Sequence, residues 1–215
     1  MRNSNEKVAV IVTAGPTREH LDPVRFLTNP STGKMGFAVA AEAARRGLKC
    51  ILVAGPVSLE TPQGVDRRDA VSARDMLREV KKAVAETAGF DTVLIATAAV
   101  ADWRPRKRAL KKLKKSAMKN TLELVRNPDI LKTVKGVRKV GFAAETGDAL
   151  SEAVRKCREK KLEFIVANDV TEPGAGFGTD TNRVAFVHPC GRVRELPLMT
   201  KRMVAKRIVD EVLRA

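Results

Sequence analysis

The chain has 215 residues, 44% of them hydrophobic, and a formal net charge of +16 from 41 Lys and Arg against 25 Asp and Glu. At roughly 150 residues per domain, this length predicts one domain over residues 1–215, and the apolar fraction excludes wholesale disorder. The longest apolar stretches are about half as long as a membrane-spanning helix, and no secretory signal pattern precedes the first strand-like run. The three scattered cysteines match no disulfide or zinc pattern. The composition therefore predicts a cytoplasmic protein without membrane contact.

Strands alternate with helices through the first half of the chain. Residues 7–14 form a β-branched apolar run, which is typical of a strand buried on both faces. Ser72 and Asp75 predict a capping box that opens a helix. The predicted strands cover residues 7–14, 48–54 and 91–99, and the predicted helices cover 33–46 and 73–88. This order predicts parallel crossovers within a doubly wound sheet.

The second half of the chain has a different pattern. Residues 104–126 show little helical amphipathicity and predict an extended basic arm or hairpin, over about 103–126, that projects from the sheet. Asn127, Pro128 and Asp129 predict a helix start, with Asn127 as N-cap and Pro128 at the first helical position. Further predictions are strands over 137–143 and 162–167, a helix over 148–161, a glycine-rich loop at 174–178, an antiparallel hairpin of 183–187 with 193–196, and a closing helix over 201–213. Together the elements predict an α/β, Rossmann-like, mostly parallel sheet.

The basic surplus favours a polyanionic partner, which is a nucleic acid, a membrane surface or a small phosphorylated substrate. Nine Lys and Arg and no acid lie between Arg104 and Lys119, and a solvated basic face is the plain alternative. Proteins that bind nucleic acids usually interleave aromatic residues for base stacking, whereas here only Trp103 borders the run. Small-phosphate chemistry is therefore favoured, and nucleic-acid binding through residues 104–119 is the alternative.

Polar motifs follow the predicted strands at the carboxyl edge of the sheet, where open α/β sheets bind ligands. Residues 13–18 follow the first strand, and residues 29–36 open the next helix with small residues, hydroxyls and a lysine. The candidate phosphate-binding residues are Gly15, Thr17, Ser31, Thr32, Gly33 and Lys34. This pattern is neither the dinucleotide fingerprint nor a P-loop, and Ser-Thr-Gly also suits an ordinary helix cap.

Several charged residues are further candidates. Asp102, at the end of the third strand, is placed to hold Mg²⁺ on a triphosphate or simply to start a surface turn. Lys112 and Lys114 share one side of an extended segment and can point at phosphates. Lys156 and Lys160, four residues apart on one helix face, have no acid on that face in this interpretation; they are phosphate contacts or ordinary surface lysines.

Other chemistries find little support in the sequence. His20 and His188 have no metal-ligand spacing, and no nucleophile elbow is present, which disfavours a covalent hydrolase. A nicotinamide-dependent oxidoreductase is disfavoured because the glycine fingerprint is missing and no acid ends the second strand. Phe142 is placed to stack on a base or to fill the core.

Nine motifs, from about Val8 to Leu213, together resemble the phosphopantothenate–cysteine ligase family of coenzyme A biosynthesis. They are residues 15–19 (GPTRE), 22–25 (DPVR), 29–36 (NPSTGKMG), 98–102 (AAVAD), 112–115 (KLKK), 127–131 (NPDIL), 141–146 (GFAAET), 167–169 (AND) and 177–182 (FGTDTN). The family is often fused behind a flavin-dependent decarboxylase, so the resemblance implies either a stand-alone ligase or one domain of such a fusion.

The resemblance implies a two-step reaction. The carboxylate of phosphopantothenate attacks the α-phosphate of a nucleoside triphosphate, usually CTP with ATP as the alternative, and releases pyrophosphate. L-Cysteine then displaces the nucleotide to form an amide. Mg²⁺ and lysines are expected to stabilise the negative charge that accumulates on the phosphates.

The resemblance also implies roles for particular residues. Lys112, Asn29 and Arg25 match catalytic positions, and Asp102 would contact Mg²⁺ on the triphosphate. The implied nucleotide-binding residues are Ala96, Thr97, Ala98, Asp102, Lys112, Pro128, Asp129, Ile130, Leu131, Phe142, Lys156 and Lys160. Family members are homodimers in which the arm crosses to the partner, so each site is expected to borrow residues from both subunits.

Overall fold

The structure is a computed structural model that describes residues 7–114, 121–145, 149–169, 176 and 178–214. In chain order, its strands are β1 (Val8–Ala14), β2 (Arg18–His20), β3 (Phe26–Thr28), β4 (Lys49–Ala54), β5 (Val65–Asp69), β6 (Asp91–Ala96), β7 (Trp103–Pro105), β8 (Leu124–Arg126), β9 (Arg138–Glu145), β10 (Phe164–Asp169), β11 (Thr181–Asn182), β12 (Ala185–Val187), β13 (Val193–Glu195) and β14 (Met199–Thr200). Its helices are α1 (Lys34–Arg45), α2 (Ala73–Glu86), α3 (Ile130–Thr133), α4 (Ala149–Glu159) and α5 (Lys201–Arg214). Each predicted strand and helix is confirmed, with some ends shifted.

Eight strands hydrogen-bond into the central sheet in the order β13-β12-β10-β9-β6-β1-β4-β5. The strands from β10 to β5 run parallel, whereas β12 and β13 form an antiparallel edge. Along the chain, β4 and then β5 are added on one side of β1, and β6 is added next on the other side of β1. This reversal opens a crevice at the carboxyl ends of β1 and β6. The predicted doubly wound, Rossmann-like sheet and its C-terminal antiparallel hairpin are confirmed.

The core lies on both faces of this sheet. Val10 and Val12 of β1 pack into the cluster that α1 and α5 cover, whereas Ile11 packs into the cluster that α2 covers. On the side of α4, Ala153 and Cys157 pack against β9 and β10. Because alternate residues of β1 face opposite sides of the sheet and Ala9 to Ala14 are all buried, the prediction of a strand buried on both faces is confirmed.

Three pairings of the described strands have no counterpart in the sequence predictions. The short hairpin of β2 and β3 pairs Arg18 with Thr28, β5 adds a parallel edge strand beside β4, and β11 pairs with β14. The sequence of β5, Val-Asp-Arg-Arg-Asp, is polar because an edge strand exposes much of its length to water. Because β5 is polar, the pattern of apolar runs in the sequence does not predict this strand.

The helix predicted after Asn127 begins later than expected. Its N-cap is Asp129, whose carboxylate accepts a hydrogen bond from the Lys132 backbone N–H at 3.0 Å. The Asn127 side chain has other partners, because its amide donates to Ala101 O at 2.8 Å and its Oδ1 accepts from Arg104 at 3.1 Å. The assignment of Asn127 as N-cap is therefore wrong, and Pro128 precedes the cap. The capping box of Ser72 and Asp75 on α2 is confirmed.

The basic arm begins as a hairpin but folds back on the domain. Its base is the antiparallel pair β7 and β8, as predicted. Beyond this base, Ala109 N–H donates to Leu21 O at 2.8 Å, and Leu113 N–H donates to the Asp22 carboxylate at 3.1 Å. The described part of the arm thus contacts the turn of the β2–β3 hairpin, which lies outside the central sheet. Residues 115–120, including Lys115 and Lys119, lie outside the described residues.

A buried charge cluster joins α1 to α5. Glu42 is 7% exposed and accepts hydrogen bonds from Arg45 at 2.7 Å and Arg46 at 2.8 Å. Arg46 also donates to Asp210 of α5 at 2.7 Å. The Arg45 hydrogen bond, reinforced by Arg46, lowers the pKa of Glu42 to about 2 against the opposing effect of burial. This carboxylate therefore stabilises the fold in its ionised form.

No helix within the described ranges combines the length and the apolarity that a bilayer crossing would require.

We expect Glu42→Gln to lower the free energy of unfolding at pH 7 by roughly 1–3 kcal/mol, because charge-assisted bonds to two arginines are lost. Since the folded-state pKa lies below the unfolded value, the contribution of Glu42 is present above about pH 5 and is lost as the pH falls toward 2. Urea unfolding at pH 7, 5 and 3 measures this. The difference in free energy of unfolding between the wild type and Glu42→Gln should shrink on acidification. Glu60→Gln, at an exposed position, is the control and should change the free energy of unfolding little. Equal free energies of unfolding for Glu42→Gln and Glu60→Gln at pH 7 would refute the stabilising role of the Glu42 carboxylate.

Candidate active site

The crevice at the carboxyl ends of β1 and β6 is a cleft with two adjoining hollows. The hollows have volumes of about 450 and 550 Å³. Residues from the start of α1 line the first hollow, and residues from Arg126 to Lys132 line the second. Six residues line both hollows: Ala98, Val100, Asp102, Leu131, Phe142 and Lys160. The two hollows therefore form one elongated cleft, and the segment after β6 lies at their junction.

The N-terminus of α1 opens into the first hollow. Gly33 is its N-cap with φ of +79°, no side chain caps the helix, and its first turn contains no acid. Gly36 packs so closely on the sheet that a Cβ would lie 2.4 Å from Thr97 Oγ1 and 2.5 Å from Ala14 Cβ. Uncapped N–H groups at the positive end of a 12-residue helix suit a phosphate group.

Ser31, Thr32, Gly33 and Lys34 all line this hollow, but Gly15 and Thr17 do not. Thr17 is fully buried, and its Oγ1 accepts from the Ala101 backbone N–H at 3.0 Å. Gly15 O accepts from Ala99 N–H at 2.9 Å. Gly15 and Thr17 therefore hydrogen-bond to the segment after β6 and do not line the cleft.

Lys34 is held across the mouth of the first hollow. Its Nζ lies 2.7 Å from Asp180 Oδ1 and donates to Gly178 O at 3.1 Å. The hydrogen bond and charge of Lys34 lower the pKa of Asp180. Lys34 thus lies where a phosphate contact was predicted, with a carboxylate as its present partner.

Small residues after β6 form the floor of the cleft. Thr97 Oγ1 donates to Thr13 O at 2.7 Å, and Asn29 Nδ2 donates to Ala99 O at 3.1 Å. Asn29 and Thr97 line the first hollow, Ala96 the second and Ala98 both. The Asn29 carboxamide is therefore fixed beside the junction of the two hollows.

Lys156 and Lys160 of the α4 region both line the cleft, and both have acidic partners. Lys156 Nζ lies 3.5 Å from Glu152 Oε1, and Lys160 Nζ lies 2.9 Å from Asp129 Oδ2. The expectation that no acid shares their face is therefore wrong. Glu152 precedes Lys156 by four residues, the spacing that brings helical side chains together, whereas Asp129 comes from a distant segment.

The second hollow is formed by the segment predicted to hold the nucleotide. Pro128, Asp129, Ile130 and Leu131 all line it, next to half-buried Phe142. Burial favours the neutral form of Asp129, but hydrogen bonds from Lys160 and Lys132 outweigh this effect and lower its pKa. The hollow therefore combines an apolar wall with a lysine that a carboxylate holds in place.

Asp102 is the one carboxylate that lines the first hollow among the described residues. In the same part of the chain, no group of three or more His, Cys, Asp or Glu side chains is placed to hold a metal ion. A metal at this site would therefore take most of its ligands from a bound anion or from water.

Lys112 and Arg25 do not reach the cleft of their own chain. Neither residue lines either hollow, and the Lys112 side chain is exposed. Arg25 donates to Asp22 Oδ2 and, at 2.9 Å, to Leu113 O. The buried Asp22 carboxylate also accepts from Leu113 N–H, and its bonds to Arg25 hold its pKa well below the ordinary range. Arg25 is thus bound to the arm at Leu113, the residue that follows Lys112.

Three polar residues of the first hollow received no chemical role from the sequence. Asn168, Asn182 and Lys201 all line it. The loops that carry both asparagines appeared among the motifs, but nothing marked Lys201, which begins an ordinary amphipathic helix. Glu145, Asp169 and residues 146 and 177, which belong to the same motifs, lie where side chains are outside the described part of the structure.

A doubly wound sheet whose switch-point cleft contains a free helix N-terminus together with lysines defines a Rossmann-like protein suited to phosphorylated ligands. The model of the DNA/pantothenate metabolism flavoprotein C-terminal domain family (DFP) matches residues 5–215. The chain therefore belongs to this family, and the resemblance predicted from the nine motifs is confirmed.

Similar proteins include the coenzyme A biosynthesis bifunctional protein CoaBC of Bacillus subtilis (strain 168), 48% identical over 208 residues, which cover 94% of this chain and 50% of that protein. The CoaBC protein of Escherichia coli (strain K12) is 42% identical over 218 residues, which cover 98% of this chain and 52% of that protein. The chain thus spans about half the length of the curated relatives it matches.

Among solved structures, the C-terminal domain of a CoaBC protein superposes with a TM-score of 0.78 at 43% identity, covering 96% of both chains. A Cab2 mutant in complex with phosphopantothenate-cysteine superposes with a TM-score of 0.75 at 18% identity, covering 95% of this chain and 86% of the other. At 18% identity, the likeness to the Cab2 mutant shows the fold alone.

We expect Asp22→Asn to release the arm, because an amide cannot accept all the hydrogen bonds that this buried carboxylate receives. Limited digestion with trypsin should then cut after Lys111, Lys112 or Lys114 roughly tenfold faster, as local opening becomes less costly. Mass spectrometry of the fragments locates the cuts. Asp66→Asn, on edge strand β5, is the matched control, and an unchanged rate in Asp22→Asn would show that Asp22 does not anchor the arm.

Proposed function

We propose that this chain is a phosphopantothenate–cysteine ligase of coenzyme A biosynthesis, which uses CTP and forms an acyl-nucleotidylate intermediate. The observation that carries the proposal is the elongated cleft, which has an uncapped helix N-terminus and Lys156 in its first hollow, Lys160 at the junction, and residues 128–131 in its second hollow. Such a cleft suits two phosphorylated ligands that meet at its centre. Identity of 42–48% to coenzyme A biosynthesis proteins supports the choice of pathway.

The first step joins the two phosphorylated substrates. The N-terminus of α1 and Lys34 hold the phosphate of phosphopantothenate, so that its carboxylate reaches the junction near Asn29. The carboxylate oxygen bonds to the α-phosphorus, the bond to the β-phosphate oxygen breaks, and pyrophosphate leaves with that electron pair. Lys156 and Lys160 hold the nucleotide phosphates, and Phe142 with residues 128–131 holds the nucleoside.

The second step forms the amide. The amino nitrogen of L-cysteine bonds to the acyl carbon, the carbon–oxygen bond to the phosphate breaks, and the nucleoside monophosphate leaves with that electron pair while the nitrogen releases a proton. Asn29 is held by its bond to Ala99 O, which orients its carboxamide beside the acyl group. A fixed polar group of this kind lowers the reorganisation that the reaction requires.

Mg²⁺ fits this site as a companion of the triphosphate. Magnesium is commonly bound through one or two carboxylates together with substrate phosphates and water. Asp102, as the single carboxylate of the first hollow among the described residues, supplies one such ligand. The ion would neutralise phosphate charge, and the chain's own lysines position the phosphate groups.

We further propose a homodimer in which the arm of one subunit completes the cleft of the other. Arg25 is bound to the carbonyl oxygen of Leu113, the residue after Lys112 in the arm, and neither Lys112 nor Arg25 lines the hollows of its own chain. Exposed apolar side chains lie on the two hairpins and the segments beside them: Phe26, Val71, Trp103, Leu122 and Leu124. Exposed apolar side chains of this kind favour association with a second copy.

The curated relatives are about twice as long as this chain, and their names call them bifunctional. We therefore propose that a flavin-dependent decarboxylase, fused or separate, acts with this ligase in the cytoplasm.

We expect wild-type protein to release pyrophosphate only when phosphopantothenate and a nucleoside triphosphate are both present, and to form the amide only with cysteine. CTP and ATP, tested side by side, define the nucleotide. Lys112→Gln should lower turnover a hundredfold or more, because a cation that stabilises developing phosphate charge is lost, without lowering the melting temperature. Lys111→Gln removes an exposed neighbouring charge and serves as control. Normal turnover in Lys112→Gln would remove this residue from the mechanism.

Mixing two inactive variants tests the shared site. If Lys112 serves the partner's cleft, Asn29→Asp and Lys112→Gln subunits form heterodimers with one intact site, and random exchange restores about a quarter of wild-type activity. If Lys112 acts within its own chain, each heterodimer has two damaged sites and no activity returns. Sedimentation equilibrium establishes beforehand that the protein is a dimer and that subunits exchange.

A further inference from the structure

A further hollow, of about 580 Å³, lies outside the cleft, between β2, the start of α2 and the base of the arm. None of the described residues that line it lines either hollow of the cleft. We call it the arginine hollow, because these three segments supply its basic side chains: Arg18, His20, Arg74, Arg104, Arg106 and Arg108. Its volume is typical of a small-molecule site, and five guanidinium groups around one hollow favour an anionic ligand.

The two acids that line the arginine hollow compensate little of this charge, because both have other partners. Glu19 is 3% exposed and accepts a hydrogen bond from the Ala73 backbone N–H at 2.8 Å. Asp75 belongs to the capping box of α2 and pairs with Arg78 at 2.8 Å. Five arginines against two engaged carboxylates leave the hollow with a net positive charge.

Two of the five arginines are oriented by neutral groups. The Arg18 guanidinium lies over Phe26, with its central carbon 4.7 Å from the ring centroid. Arg104 donates to Arg126 O and, at 3.1 Å, to Asn127 Oδ1. Neither Arg18 nor Arg104 forms an ion pair with any residue that the structure describes. Both side chains are therefore held in place while their charge stays uncompensated.

Arg74 and Arg108 are the least engaged cations of the hollow. Both residues are exposed, and within the described ranges neither side chain forms an ion pair or a hydrogen bond. Arg106, the fifth arginine, pairs with exposed Glu123 at 2.6 Å. Guanidinium groups that share a hollow without counter-charges repel one another, so an anion that contacts several of them is bound favourably.

The chemistry of the arginine hollow favours phosphate groups on a small molecule over a nucleic-acid strand. A guanidinium presents a planar fork of N–H donors, which can bond two oxygens of one phosphate. Proteins that bind single strands stack the bases on aromatic rings. Among the described lining residues, His20 alone carries an aromatic ring, and that ring already packs against Phe26 at a centroid distance of 5.3 Å.

We propose that the arginine hollow binds a small oligophosphate anion, either a nucleoside polyphosphate or an inorganic chain of phosphates, at a site separate from the cleft. Arg74 and Arg108 bind its phosphate groups together with Arg18 and Arg104. Because β2, α2 and the arm are distant in the chain, the bound anion connects the base of the arm to the start of α2. Binding therefore makes local opening of the arm more costly.

Calorimetric titration of the full chain with inorganic tripolyphosphate at low ionic strength tests this site. Arg74→Gln combined with Arg108→Gln (the arginine variant) should weaken the binding of one tripolyphosphate per chain at least a hundredfold, because each lost charge-assisted contact costs about tenfold or more. Lys156→Gln combined with Lys160→Gln (the lysine variant) removes cations from the cleft alone and should keep this binding. Bound tripolyphosphate should also slow tryptic cleavage after Arg106 and Lys107 in the wild type.

Lys81→Gln combined with Arg202→Gln removes two charges at other exposed positions and is the matched control, which should bind tripolyphosphate within twofold of the wild type. Thermal melting and sedimentation show whether each variant keeps the fold and the assembly state. If the arginine variant fails to fold, its two single substitutions replace it, and each should weaken binding about tenfold.

Titration of the lysine variant with ATP identifies the source of the phosphates. Binding tighter than that of tripolyphosphate would assign the hollow to a nucleoside polyphosphate, and equal or weaker binding would assign it to the phosphate chain alone. The proposal would be overturned if the wild type did not bind tripolyphosphate, if the arginine variant bound it unchanged, or if the lysine variant lost all binding. A single-stranded oligonucleotide that bound the lysine variant more tightly than tripolyphosphate, but not the arginine variant, would assign the hollow to nucleic acid and overturn the proposal as well.

Discussion

The close contact between the first turn of α1 and the ends of β1 and β6 determines where the other groups of the cleft lie. Glycine at position 36 permits this contact, because a Cβ would overlap with Ala14 and Thr97. The helix N-terminus is consequently held at the crevice where the chain reverses across the sheet. Groups from β6, the segment before α3 and the loop before β11 then assemble around it.

Most of the cationic side chains of the cleft are already held by protein groups. Lys34 bonds to Asp180, Lys160 to Asp129, and Lys201 to two backbone carbonyls. Such contacts restrict long flexible side chains before a ligand arrives, which reduces the entropy lost on binding. The same contacts explain how a chain with a net charge of +16 can concentrate several ammonium groups at one margin of its sheet.

A buried carboxylate, Asp22, is one of the groups that anchor the arm. Asp22 binds Arg25 within its own hairpin and Leu113 across the arm, so one residue joins two segments that are distant in the chain. The unusual exposure of apolar side chains such as Trp103 on the adjoining hairpins gives this region a surface that a lone subunit leaves open to water. Its position beside the arm links the proposed dimer to the proposed chemistry.

Features that depend on neighbours along the chain were predictable from sequence. The continuous apolar run of β1, the capping box of α2 and the order of strands and helices determined the fold class, because these patterns act over a few residues. The pair of Glu152 and Lys156 also follows from a local spacing of four residues, although it was not predicted. By contrast, the polar edge strand β5, the N-cap of α3, the Asp129 partner of Lys160 and the arginine hollow were decided only by tertiary structure. Each depends on which residues from distant segments meet in space, and on how much water remains around them, and neither quantity is a property of a local stretch of sequence.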